Sequence, residues 1–244
     1  MFGKGKAPFE ALVRKLERLA ELNDEDRQAL TSLPFTIETI GEDGLLIRAG
    51  EEKHHCGVLL EGYACRSKSL GSGGRQIFSF HFPGDILDVE HILLPQADHD
   101  IEAATDVSVA WVPSADLRKL TQERPAVADA LWRDCLIDAS VFREWVLNVG
   151  KRDPRSRVSH MLCEFATRRE AAGLGKPQGA ELPISHQQIS DATGLTPVQV
   201  NRMLHLLVAA GIIADDGQRL KIMNSDALRE IAAFDPAYLH ALAA

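Results

Sequence analysis

Val198, Asn201, Arg202 and His205 stand three, one and three residues apart, a spacing that gathers them on one face of a helix. Their types suit hydrogen bonding and apolar contact with base edges in a DNA major groove. An arginine pairs bidentately with guanine, an asparagine with adenine, and a valine meets a thymine methyl. A second stripe, Val200, Met203, Leu204, Leu207 and Val208, falls on another side of the same turns and supplies the face that packs inward.

The elements that must hold these residues are written in start signals. Ser185 followed by Gln188 is a capping box, with Ile184 and Ile189 placed as its hydrophobic staple. The same device recurs at Thr196 and Gln199, with Leu195 and Val200 as the staple pair and Pro197 at the first helical position. Gly194 lies between the two boxes and can supply the positive φ of a tight turn. Two capped helices joined by a short glycine turn read as a helix-turn-helix. Ile212-Ile213, Asp215-Asp-Gly217 and Leu220-Lys-Ile222 then read as strand, turn and strand, which makes a wing. A helical hairpin inside a core is the plainer alternative, but doubled boxes, turn glycine and wing in this order favour DNA. The expected DNA-facing residues are Ser185, Thr196, Pro197, Val198, Gln199, Asn201, Arg202 and His205.

Composition sets the frame. The 244 residues are 45% hydrophobic and 25% charged, which excludes a disordered chain and a disulfide-stapled miniprotein. Formal net charge is −8, yet it is unevenly spread. Residues 1–150 carry 16 basic against 25 acidic side chains, whereas residues 151–244 carry 11 against 10. An acidic module bearing a more basic one fits that asymmetry. No apolar run approaches the ~20 residues that span a bilayer, and residues 1–6 have no apolar signal core behind them. No membrane partner is therefore expected, and four cysteines without a Cys-x-x-Cys pair point to a reduced, cytoplasmic protein.

Residues 8–33 read as helical, with Leu12, Leu16, Leu19 and Leu22 in one stripe and Pro34 as the stop. From Phe35 to Val112 short apolar runs (Leu45–Ile47, Val58–Leu60, Ile77–Phe82, Val107–Val112) alternate with glycine-rich turns, the pattern of a barrel, sandwich or jelly roll. Helical grammar returns at Ser114 and breaks at Pro125. From Pro125 to Val149 one long helix carries two apolar stripes. The first is Ala128, Leu131, Cys135, Phe142, Trp145 and Val149, broken by Asp138; the second is Trp132, Leu136, Ala139 and Val146. Both must be buried: one flank can lie on the strand domain, and the same helix of a second copy is the expected partner of the other, with packing inside one chain as the plainer alternative. Gly150 suits a helix end, Asp153 a cap and Pro154 a first helical position, so 150–154 reads as a hinge before a helix over about 155–172. Lys151, Arg152, Arg155 and Arg157 there either touch phosphates or form an exposed hinge face.

Here the chain resembles the Crp/Fnr superfamily of bacterial transcription regulators. The stretch Ile184-Ser-His-Gln-Gln-Ile-Ser-Asp-Ala-Thr-Gly-Leu-Thr-Pro-Val-Gln-Val-Asn-Arg-Met-Leu carries the carboxyl-terminal likeness. Gly50-Glu51, Leu59-Leu-Glu-Gly62, Gly74-Arg-Gln-Ile77 and Phe82-Pro-Gly-Asp85 are similar to that family's cyclic-nucleotide-binding-like β-roll. The resemblance implies an α+β chain in four parts: a β-roll sensor (1–124), a dimerisation helix (125–150), a winged helix-turn-helix (151–224) and a helical tail (225–244). It further implies a homodimer on a palindromic operator in double-stranded DNA, RNA polymerase as a candidate partner, and an effector signal relayed from the β-roll.

The effector itself departs from the cyclic-nucleotide pattern. The positions of that family's phosphate-gripping Gly-Glu and Arg-Ser pairs fall on Asp88-Val89 and His99-Asp100. No Lys or Arg occurs from 76 to 117, against eight acids, so an anion cradle is not expected and cyclic AMP is not the expected effector. Five histidines lie in the β-roll, but His54 and His55 are adjacent and would face opposite sides of a strand, so no metal ligand set and no cofactor is assigned. No cysteine precedes Cys56, which leaves no amino-terminal iron–sulfur cluster motif. A cupin-like metalloenzyme, and a ligand-binding module that dimerises without touching DNA, are the alternatives from other classes; no catalytic arrangement is legible for the first.

Overall fold

The structure is a computed structural model that describes residues 8–94, 96–217 and 219–243. Residues 1–6, read above for a signal core, lie outside them. The helical segment expected over 8–33 divides into two helices, α1 (Glu10–Glu17) and α2 (Asp24–Thr31). The break comes from Asn23, whose backbone is extended and whose side chain caps α2 in a reciprocal box with Asp26. Leu12, Leu16 and Leu19 of the leucine stripe are buried, and Leu22 is half-buried.

Seven strands follow: β1 (Thr36–Ile40), β2 (Leu45–Ile47), β3 (His55–Glu61), β4 (Ala64–Ser69), β5 (Arg75–His81), β6 (Asp100–Ala103) and β7 (Val107–Pro113). They form two sheets, ordered β1-β7-β3 and β2-β6-β4-β5. Ile47, Leu59, Leu87, Ile101 and Val109, all fully buried, fill the core of this part. The β3–β4 turn depends on Gly62, at φ +80°, where a Cβ would stand 2.1 Å from the Asp106 carbonyl oxygen. A single 3₁₀ turn, Val89–Ile92, lies in the long connection between β5 and β6.

Helix α3 (Ser114–Glu123) leads into α4 (Pro125–Lys151), which starts on its proline as expected. Gly150 lies inside α4 rather than ending it; the stop comes two residues later, where Asp153 leaves helical geometry to cap α5 (Pro154–Ala171). The apolar stripes of α4 are also redistributed. Val127, Ala130, Leu131, Ile137, Val141 and Trp145 are buried, while Ala128, Cys135, Phe142 and Val149 are only partly so. Asp138, the polar interruption, receives the buried Arg66 guanidinium at 3.1 Å. Trp132, Leu136 and Val146 of the second stripe stay 66%, 61% and 75% exposed.

The chain divides into two units. The first comprises the chain up to Arg66 together with Phe80–Asp138; the second comprises Ser67–Ser79 and Ala139–Ala244. In the second unit α5 is followed by β8 (Glu181–Leu182), α6 (His186–Thr193), α7 (Pro197–Ala209), β9 (Ile213–Asp215), β10 (Leu220–Ile222), α8 (Ser225–Ala232) and a 3₁₀ segment, Pro236–Ala243. The wing is a three-stranded sheet ordered β8-β10-β9, one strand more than the sequence pattern announced. No described helix is long and apolar enough to cross a membrane.

Candidate nucleic-acid interface

The interface is built from its caps upward. Ser185 sits in extended geometry and accepts from the Gln188 amide at 3.1 Å, while Gln188 accepts from the Ser185 amide at 2.9 Å. Thr196 and Gln199 repeat the exchange at 3.3 and 3.0 Å, with Pro197 opening α7. Gly194 between them takes φ +65°, and Ser190 Oγ donates to the Leu195 carbonyl at 2.6 Å across the same turn. Both expected boxes therefore form. They commit the side chains of Ser185, Thr196 and Gln199 to backbone amides rather than leaving them free.

On α7, Val200, Leu204 and Leu207 are buried and pack the helix inward. Met203 is half-buried. Val208, expected on this stripe, is 38% exposed, although its neighbour Leu207 is fully buried. Pro197, Val198, Asn201, Arg202 and His205 form the exposed side, and Val198 is 78% exposed. Among the described residues Arg202 makes no ion pair or hydrogen bond, and its guanidinium fork is exposed. Behind this face His186 Nε2 lies 2.9 Å from Asp215 Oδ2, tying the start of α6 to the wing strand β9. The wing turn is closed by Gly217 N donating to Asp215 Oδ1 at 2.9 Å and by Arg219 N donating to Asp216 Oδ1 at 2.7 Å.

The hinge bases separate into two pairs. Arg157 donates to the carbonyls of Thr193 and Arg152, and Arg152 is salt-bridged to Glu144, so both are used inside the protein. Lys151 is exposed and makes no ion pair among the described residues, and Arg155 is half-buried. Asp153 accepts from the Arg155 and Ser156 amides, and its hydrogen bonds to Ser156 hold its carboxyl below the usual range.

Two residues of the Gly74-Arg-Gln-Ile77 motif, which belongs to the same unit, contact α6. Arg75 grips Asp191 of α6 through Nε at 2.8 Å and through its terminal nitrogen at 2.7 Å, and Gln76 donates to the Ala192 carbonyl at 3.1 Å. Nothing in their local sequence marks these contacts, since the partners lie 116 residues away.

In the first unit, Asp88 and His99 of the expected effector pocket are buried in one cluster with Arg66, Glu90 and His91. Val89 opens the 3₁₀ turn and is half-buried. Asp100 is directed elsewhere: its Oδ1 accepts from the Ala49 amide at 2.8 Å. The positive charge absent from residues 76–117 enters from β4 as Arg66, which donates to Asp138 at 3.1 Å and to the Leu87 carbonyl at 2.7 Å and stands 3.8 Å from Glu90. Burial, with Glu90 alongside, pushes the Asp88 carboxyl up to about 8, while burial lowers His91 and His99. Among the described residues no group of three or more His, Cys, Asp or Glu is placed to hold a metal ion. The four cysteines are free, and burial pushes Cys56 and Cys163 up to about 12 and Cys135 up to about 11, far from thiolate reactivity.

Comparison with known proteins agrees with this architecture. Residues 38–124 match the family model of the cyclic nucleotide-binding domain, and residues 156–231 match that of the Crp-like helix-turn-helix domain. The chain is 25% identical over 182 residues to the transcriptional activator protein FnrL of Cereibacter sphaeroides, covering 73% of each chain. It is 28% identical over 173 residues to a probable transcriptional activator of Rhizobium leguminosarum bv. viciae, covering 69% of each. Among solved structures, FixK2 from Bradyrhizobium japonicum superposes with a TM-score of 0.73 at 27% identity, over 83% of this chain and 100% of that one. With a nucleotide-binding-type β-roll domain, a doubly capped helix-turn-helix whose second helix carries an exposed arginine, and regulators as its relatives, the chain belongs to the Crp/Fnr family of DNA-binding transcription regulators.

Proposed function

We propose that this regulator works as a homodimer on a palindromic operator, each copy laying α7 in a major groove so that Val198, Asn201, Arg202 and His205 read base edges. The observation that carries the dimer is the uncovered side of α4. Trp132, Leu136, Ala139, Arg143, Val146 and Gly150 alternate four and three residues apart, the spacing of a coiled-coil seam. Three large apolar side chains on it stay more than 60% exposed in a single copy. Burying each is worth roughly 1.5–3 kcal/mol, which a second α4 would supply. Two recognition helices related by such an axis fit half-sites about 34 Å apart. Pro197 and Val198 at the start of α7 favour an apolar contact at one base of each half-site.

The effector reading is that cyclic nucleotides are not the signal, supported by the carboxyl groups of Asp88, Glu90 and Asp98 around a guanidinium that is already paired. RNA polymerase is a proposed partner, supported by relatives named as transcriptional activators. The test is selection of bound sequences from random duplex DNA, with light scattering of the free protein. Two-fold-symmetric sites and a dimer are expected. Enrichment of single, non-repeated half-sites by a monomer would overturn the reading.

A further inference from the structure

Glu164, in the middle of α5, is 3% exposed, and burial raises its carboxyl. A carboxylate in such a place is tolerable only with donors around it. Three different elements supply them. Trp145 of α4 donates its Nε1 proton to Oε1 at 2.9 Å and to Oε2 at 3.0 Å. Tyr238, in the 3₁₀ segment after α8, donates its hydroxyl proton to Oε2 at 2.6 Å. Arg168, one turn along α5, stands 3.8 Å from Oε1.

The tail is held to this point by more than one contact. The Tyr238 ring stacks on His160 of α5 at 5.9 Å, Phe234 meets His160 edge-on at 5.1 Å, and Arg229 lies over the Phe234 ring. Ser156 Oγ, at the start of α5, donates to the Ile231 carbonyl at 2.9 Å. The turn that brings Phe234 back is made by Ala233 in left-handed geometry, φ +45°, a conformation that disfavours a non-glycine residue and persists where packing enforces it. Phe234 and Tyr238 both lie beyond residue 231, where the match to the helix-turn-helix family model stops.

Helices α6 and α7 pack on α5, so whatever fixes α5 against the end of α4 also fixes where α7 stands relative to α4. We infer that Tyr238 is a positioning residue for DNA recognition: through Glu164 it locks the α4–α5 corner and thereby sets the separation at which a dimer presents its two recognition helices. This rests on the dimeric reading above. Among the described residues no hydrogen bond, ion pair or ring contact joins Tyr238 to Val198, Asn201, Arg202 or His205, so the preference within a half-site should be independent of it.

The experiment measures binding of the full chain to a selected two-half-site duplex, to versions with one base pair inserted or removed between half-sites, and to a single half-site. The wild-type protein is compared with Tyr238→Phe, Glu164→Gln and the double variant. The wild type should lose affinity sharply when the spacer changes. Tyr238→Phe should shrink that spacer penalty by about tenfold, the factor that one hydrogen bond to a charged group is worth. Base preference within a half-site and the melting temperature should move little. Glu164→Gln keeps an acceptor and should fall between, and the double variant should resemble Tyr238→Phe, because the two changes break one link. An unchanged spacer penalty in a folded, dimeric Tyr238→Phe overturns the inference while leaving the dimer reading standing, as does a wild-type dimer indifferent to spacing. A monomeric wild type that binds only single half-sites overturns both.

Discussion

Arg202 carries the sharpest expectation at the scale of single residues. Its fork is exposed on α7, so Arg202→Ala should cost about 1–3 kcal/mol per half-site and relax preference at one base pair. Competition binding against a panel of single-base variants reads this directly; full retention of base preference would mean that α7 is not the reader. Lys151→Ala should behave differently, weakening all duplexes alike and making the salt dependence shallower by about one unit of slope, as loss of a phosphate contact does. The β-roll cluster makes two further statements. A nucleotide phosphate brought near Glu90 or Asp98 at ~4 Å would be repelled by about 4 kcal/mol at an effective dielectric near 20, roughly a thousandfold in affinity. Arg66 offsets little of it, being shared already between Asp138 and the Leu87 carbonyl. Titration calorimetry with cyclic AMP should therefore show no binding at about ten micromolar or tighter. Asp88, pushed up to about 8 by burial, keeps its proton in the folded protein where an unfolded chain has already released it. Between pH ~4 and ~8 the folded state thus holds the extra proton, so this group's contribution to stability falls as pH rises and levels off above about 8. Denaturant melts across that range should show the decline in the wild type and a flatter curve in Asp88→Asn.

The same contrast between local and remote causes runs through the elements. Thr196→Ala removes a cap whose partners are three residues away, and should lower stability by about 1 kcal/mol in a denaturant melt. Such devices are legible in sequence because cause and effect share one turn: both boxes of the helix-turn-helix, Pro154 and Asp153 at α5, and Pro125 at α4 all stand where their residue types announce them. Asn23 was equally local, but aspartate rather than glutamate completes its box, and the continuous leucine stripe masked the break between α1 and α2. Strands β1, β4 and β6 escaped because β1 is mostly exposed, β4 buries Arg66 and Ser67, which no hydrophobic pattern marks as interior, and β6 is only four residues long with two acids among them. Residues joined only by the fold, such as Arg75 with Asp191, Arg66 with Asp138, and Glu164 with Tyr238, could not be paired from spacing at all.

For the molecule as a whole, the proposed dimer stands or falls with the seam on α4. Leu136→Asp places a charge in the middle of that seam without disturbing a residue buried in a single copy, so it should yield a folded monomer. Sedimentation would show half the mass, and binding to two-half-site duplexes should drop towards that of one half-site. The three tryptophans turn the same architecture into an optical instrument. Trp111 is half-buried and hydrogen-bonded to Glu38, Trp145 is enclosed with its indole proton on Glu164, and Trp132 stands in water on the open face. Excited indoles emit at longer wavelength when water can relax around them, so the red edge of the intrinsic fluorescence belongs to Trp132. Dilution through the dimer dissociation range should brighten that edge alone, giving a label-free measure of self-association in a protein that needs no dye attached.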